Sequence, residues 1–102
     1  MATLVVLYNK PANAEAFDKH YVDNHIPLAK KIPGLRKYEV SKGTVATPGG
    51  PSDYHLVALL TFDSVAAIGA AFESAEGKAT AGDLANFAQA GVQLLICDTH
   101  PV

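Results

Sequence analysis

Two hydrophobic periods divide this chain into strands and helices. Residues 3–9, TLVVLYN, are β-branched and apolar and stop at Lys10-Pro11, which predicts a strand. The period then changes. Phe17, Tyr21, His25 and Leu28 recur at spacings of four, four and three, one stripe of a helix. Asn13 is placed to cap that helix, and Glu15 sits in the first turn, where the backbone dipole favours a carboxylate. Pro27 has no N–H to give the carbonyl of Asp23 and disfavours helical angles at Ile26. A break or kink is therefore expected near residues 24–26, with Pro27 in the first turn of a restarted helix.

The remaining pattern predicts a second strand in GLRKYEVSKGTVA, a turn-rich loop TPGGPS at 47–52 and a third strand, YHLVALLTF, at 54–62. Ser64 is placed to cap a helix over VAAIGAAFESA. A Gly-containing break at 77–82 and a short helix or extra turn in DLANFAQA follow, and VQLLICDTH reads as the last strand. The order β-α-β-β-α-β is that of a ferredoxin-like α+β domain, with helices on one face of an antiparallel sheet, and residues 1–102 form one domain in this reading.

A sheet with one face in water alternates apolar and polar residues, and these strands do not. Leu4, Val6 and Tyr8 point opposite to Val5 and Leu7. Tyr54, Leu56, Ala58, Leu60 and Phe62 point opposite to Val57 and Leu59. Val92, Leu94 and Ile96 point opposite to Leu95 and Cys97. Both faces are oily, and two helices on one side cover only one of them. The expected remedy is a homodimer packed through the bare sheet face. The other cover available is the C-terminal tail or the 77–91 segment.

Composition narrows the partners. Hydrophobic residues make up 49% of the 102, charged residues only 18%, and the net charge is −2. Lys30-Lys31 and Arg36-Lys37 are short pairs rather than a basic face, so no nucleic-acid partner is expected. No run of eighteen apolar residues suggests a membrane span, and the N-terminus lacks the charged region of a secretory signal. The single Cys97 makes no internal disulfide and reads as a buried small hydrophobe. These points favour a reducing cytoplasm.

Chemistry narrows in the same way. His20 and His25 lie about 140° apart around an α-helix and do not converge, and neither H-E-x-x-H nor CxxC occurs, so no metal site is expected. There is no G-x-S-x-G, GxGxxG or P-loop, and no cofactor is expected. His25 remains, an imidazole on the sheet-facing stripe at the helix break, placed to move protons near neutral pH. Tyr38 follows across a Pro-Gly turn, where a phenol can donate to a developing enolate or carbonyl oxygen. Phe17, Tyr21 and Phe62 are candidate walls, and Tyr8 at a strand end is within reach of a ligand. His55 faces either the pocket or the dimer seam, and His20 reads as a rim residue. The structural alternative is that His25 only bonds backbone and Tyr38 is a half-buried strand aromatic.

The segment FDKHYVDNHIPLAKKIPGLRKYEV, residues 17–40, resembles the EthD-like family of the dimeric α+β barrel superfamily. It shows an aromatic-containing first helix, then His25-Ile26-Pro27, then Pro33-Gly34-Leu35, then a strand carrying Tyr38. The resemblance implies a homodimer whose sheets meet as a barrel, with a pocket in each subunit between sheet and helices. It brings in relatives linked to breakdown of ethers such as ethyl tert-butyl ether and of aromatics, muconolactone isomerases, and enzymes acting on polyketide-like rings. Several of these work without a cofactor. Three functions follow as expectations. The first is a cofactor-independent isomerase or lyase acting on a hydrophobic ring, lactone or polyketide-like substrate. The second is a non-catalytic dimer that binds a small hydrophobic molecule or assists a pathway. The third is a cofactor-free monooxygenase.

Overall fold

The computed structural model describes residues 1–102. Strand β1 (Ala2–Asn9) is followed by helix α1 (Ala14–His20), a wide π-helical turn (Tyr21–His25) and α2 (Ile26–Ala29). Strand β2 (Lys37–Val40) precedes a small hairpin of β3 (Ala46–Thr47) and β4 (Gly50–Pro51). Then come β5 (Tyr54–Phe62), α3 (Val65–Glu73), α4 (Ala75–Phe87) and β6 (Val92–Asp98). The main sheet has the order β2-β5-β1-β6, and every pairing is antiparallel. This is the ferredoxin-like α+β arrangement, and its two layers make a slab only 18 Å through its shortest axis.

The registers of β1, β5 and β6 set the core. Val6 lies opposite Ala58 on one side and Leu94 on the other, and Leu4 opposite Leu60 and Ile96. Ala2, Leu4, Val6 and Tyr8 are buried under the helices with Ala58, Leu60 and Phe62. Val5, Leu7, Val57 and Leu59 face the other way and are half-buried or exposed. Strand β6 is only thinly covered: Val92 packs against the core, but Leu94, Leu95 and Ile96 are each about half exposed.

Both expected caps form: the Asn13 side chain accepts from the Ala16 N–H, and the Ser64 side chain from the Ala67 N–H, each at 3.0 Å. Four expectations need correction. The helix through Pro27 does not break, and Ile26 keeps helical angles (φ −58°, ψ −47°). The chain instead widens by one residue, so that the Ile26 N–H bonds the carbonyl of Tyr21. The second strand is shorter than expected, and Thr47 and Gly50 pair inside the segment read as a loop. There is no break at 77–82: α4 is continuous, and the chain breaks at Ser74, where ψ swings to 161°. A Cβ at Gly77 would lie 2.1 Å from the carbonyl oxygen of Ala71, so a glycine there lets α3 and α4 touch. Cys97 is exposed rather than buried, because it lies opposite Thr3 on the outer face of an edge strand, away from the helices. No helix is long and apolar enough to cross a membrane.

Candidate active site

The stripe from α1 runs on into the wide turn and points Phe17, Tyr21 and His25 at the sheet, where all three are buried. Tyr8 rises from β1 to meet them, edge-on to Phe17 at 5.4 Å and to Tyr21 at 5.6 Å between ring centres. Phe87, at the end of α4, packs 4.8 Å from the His25 ring and 5.1 Å from His20.

One turn before Phe87, α4 brings in Asp83. Its Oδ2 lies 2.9 Å from His25 Nδ1, and its Oδ1 lies 2.8 Å from His20 Nε2. The Asn86 side-chain amide donates to Oδ1 at 2.9 Å. Asp83 and His25 are 7% and 5% exposed, so a carboxylate and an imidazole meet in an almost dry environment. Burial alone would raise the Asp83 pKa. The hydrogen bonds from Asn86, His20 and His25 outweigh it and hold the carboxyl below its ordinary value. Burial lowers the His25 pKa, and the bond to Asp83 offsets this only in part. At neutral pH the pair is thus carboxylate and neutral imidazole. The carboxylate fixes the proton on Nδ1, leaving Nε2 as the acceptor.

Nε2 faces the Tyr8 hydroxyl at 3.5 Å, longer than an ordinary O–H···N bond, so its lone pair is loosely held. Nearby, the Tyr21 and Tyr38 hydroxyls are hydrogen-bonded at 2.6 Å. Burial pushes all three phenols up, and they remain protonated donors. These groups border a cavity of about 250 Å³ between sheet and helices, and 15 of its 18 lining residues are hydrophobic. Leu4, Val6 and Leu60 form its floor, Ile68, Phe72 and Leu84 its roof, and half-exposed Leu94 and Ile96 stand at its β6 side.

Four of the seven residues singled out in the sequence line this cavity: His25, Tyr38, Tyr21 and Tyr8. Phe17 lies behind them in the core, and Phe62 is fully buried beside the Gly34 turn, so neither is a wall. His55 is also outside. The β1–β5 register slips between Tyr8 and Asn9 and leaves His55 unpaired. Its ring meets Phe17 edge-on at 5.0 Å and Asp18 Oδ1 at 2.7 Å, in a separate groove. Sequence reasoning missed Asp83 and gave His20 a rim role, whereas His20 is the outer partner of Asp83. The available signal was Thr80, Asp83 and Phe87 at helical spacing, all of them buried on α4. No cluster of three or more His, Cys, Asp or Glu side chains is arranged to hold a metal ion.

Fold and cavity together define a small ferredoxin-like α+β protein with a His–carboxylate pair at the polar end of an oily pocket. The chain belongs to the EthD family, whose domain matches residues 9–91. It is 39% identical to an uncharacterised 11.0 kDa protein in the thcB-thcC intergenic region of Rhodococcus erythropolis, covering 100% of this chain and 98% of that one. It is 36% identical to an ethyl tert-butyl ether d (EthD) family protein of Bacillus halodurans C-125, whose crystal structure superposes with a TM-score of 0.90 over 98% of this chain and 99% of that one. A variant of SnoaB, a cofactor-independent oxygenase from Streptomyces nogalater, shares the fold alone: 13% identity and a TM-score of 0.67, over 99% of this chain and 94% of that one.

Proposed function

We propose that this protein is a cofactor-independent enzyme that moves a proton on a small hydrophobic ring, lactone or polyketide-like substrate, as an isomerase or lyase. The observation that carries the reading is the buried Asp83–His25 pair, which leaves Nε2 as a base at the edge of an apolar cavity. Nε2 takes a proton from carbon next to the substrate carbonyl. The imidazolium so formed is held by Asp83, and the enolate oxygen accepts a hydrogen bond from the Tyr21–Tyr38 pair. Return of the proton to the same or a conjugated carbon completes the exchange with no change in oxidation state. The fold-sharing cofactor-independent oxygenase supports chemistry without a bound helper on this scaffold.

In this proposal the working unit is a homodimer joined through the outer sheet face, in a reducing cytoplasm where the exposed Cys97 stays a thiol. The apolar residues left open on that face support the assembly. The test is deuterium uptake from D₂O, at carbon next to the carbonyl, in a panel of small cyclic ketones and lactones. The wild type is expected to accelerate exchange for at least one of them, and His25→Gln to lose about 10²–10⁴-fold. Binding without exchange at any pH would leave a non-catalytic binder. Oxygen consumption during turnover would move the protein to the oxygenase class.

A further inference from the structure

The polar groups of the cavity can be counted. His25 Nδ1–H is committed to Asp83. The Tyr8 hydroxyl faces Nε2. The Tyr21 and Tyr38 hydroxyls bond each other, so one O–H of the two is spent within the pair and one is left to donate. Thr80 gives its hydroxyl to the Glu76 carbonyl at 2.9 Å. No buried side-chain nitrogen or oxygen lacks a partner. The cavity therefore offers a ligand one phenolic donor and one loosely held imidazole lone pair, both at its inner end, with aliphatic and aromatic surface elsewhere.

Charge restricts the ligand further. The lining holds no lysine or arginine, and the Lys19 and Arg36 side chains form ion pairs on the exposed surface. The only formal charge adjoining the cavity is the Asp83 carboxylate, directly behind His25. An anionic ligand would bring a second negative charge into a dry site with no cation to meet it, which is strongly unfavourable. A neutral ketone or lactone avoids this. The enolate it forms appears together with the His25 imidazolium, so the site never holds an unbalanced charge.

We infer that the cavity selects uncharged, one- or two-ring ligands bearing a carbonyl oxygen, seated on the Tyr21–Tyr38 pair with the apolar body towards β6, and that it rejects carboxylates of the same skeleton. This deepens the proton-transfer reading and rests on the same cavity, but it concerns binding and not turnover. The size follows from the cavity volume of about 250 Å³, below the roughly 300–1,000 Å³ of pockets for drug-sized ligands.

Three probes on one skeleton test it: 2-tetralone, tetralin and tetralin-2-carboxylate, each titrated into the wild-type protein at pH 7 and followed by calorimetry or protein-observed NMR. The expected order is ketone, then hydrocarbon, with the carboxylate weakest by at least about 100-fold against the ketone. Tyr38→Phe should abolish the preference for ketone over hydrocarbon. Leu94→Lys, at the β6 side of the cavity, should strengthen carboxylate binding relative to the hydrocarbon by at least about tenfold, by supplying the missing cation. A carboxylate that binds the wild type as tightly as the ketone overturns the inference, and so does the failure of all three probes to bind. Ketone selectivity without deuterium exchange into 2-tetralone would remove the catalytic reading and leave this one standing. Exchange without discrimination against the carboxylate would do the reverse.

Discussion

A single carboxylate, Asp83, takes hydrogen bonds from two histidines and an asparagine, and its surroundings make stability depend on pH at both ends. Burial holds His25 below the ordinary imidazole value of about 6.5. The unfolded chain then binds that proton more readily. Stability should fall as pH drops below about 6.5 and level off once the folded imidazole is protonated too. Asp83 is held below its ordinary value, so its stabilisation is present above about 3.9 and is lost as pH falls through the folded value. The buried phenols, all pushed up, ionise first in the unfolded chain, so stability should also decline above about pH 10. Urea unfolding at a series of pH values is expected to show this dome. His25→Gln should flatten the limb just below about 6.5. An unflattened limb would assign the proton uptake to another group. The places of His25 and Tyr38 beside the cavity were legible in the sequence because His25 continues a helix stripe and Tyr38 follows it across one short Pro-Gly turn. Asp83 was not, because its meaning depends on a contact 58 residues away, across the helix layer.

At the scale of elements, Pro27 and the helix pair α3–α4 show where local rules stop. The rule that proline excludes helical angles from its predecessor lost to the continuity of a buried stripe. Widening the turn kept Tyr21 and His25 on the core face. The two glycines that suggested a break in α4 have different roles. At Gly77 a methyl group would collide with the α3 backbone, so Gly77→Ala should cost about 1–3 kcal/mol by forcing the helices apart. At Gly82 nothing lies within 4 Å of the added carbon, and Gly82→Ala should stabilise by about 0.5–1 kcal/mol. Paired thermal or urea melts check both, and equal effects would mean that α4 does not pack as described. The cap residues Asn13 and Ser64 and the strands at 3–9 and 54–62 were readable because caps and two-residue periods are local signals. The Ser74 boundary was hidden because both flanking sequences favour helix.

For the molecule as a whole, only 18 of 102 residues are buried, although 49% are hydrophobic. Six of the apolar residues left open, Val5, Leu7, Val57, Leu59, Leu95 and Cys97, share the outer sheet face, and the failure of polar alternation in the sequence announced that cluster. Leu59 lies in the strand next to Val5, near its middle, and is 37% exposed. In the proposed dimer, Leu59→Glu places a charge in a dry seam and should give a monomer at micromolar concentration by sedimentation, with the wild type dimeric. A monomeric wild type would remove the assembly while leaving the His25–Asp83 site in place. The edges of the sheet differ. On β2, Lys37 and Glu39 form an ion pair that guards against unwanted pairing. On β6, Leu94, Leu95, Ile96 and Cys97 run bare to Asp98, and two of these side chains also flank the hollow. Whatever docks along this unguarded border therefore stands beside the doorway. In the proposed dimer a partner reaching this border would flank the ligand's way in, so on-rates for a small ketone should vary as the protein is diluted, with no residue of the chemical centre involved.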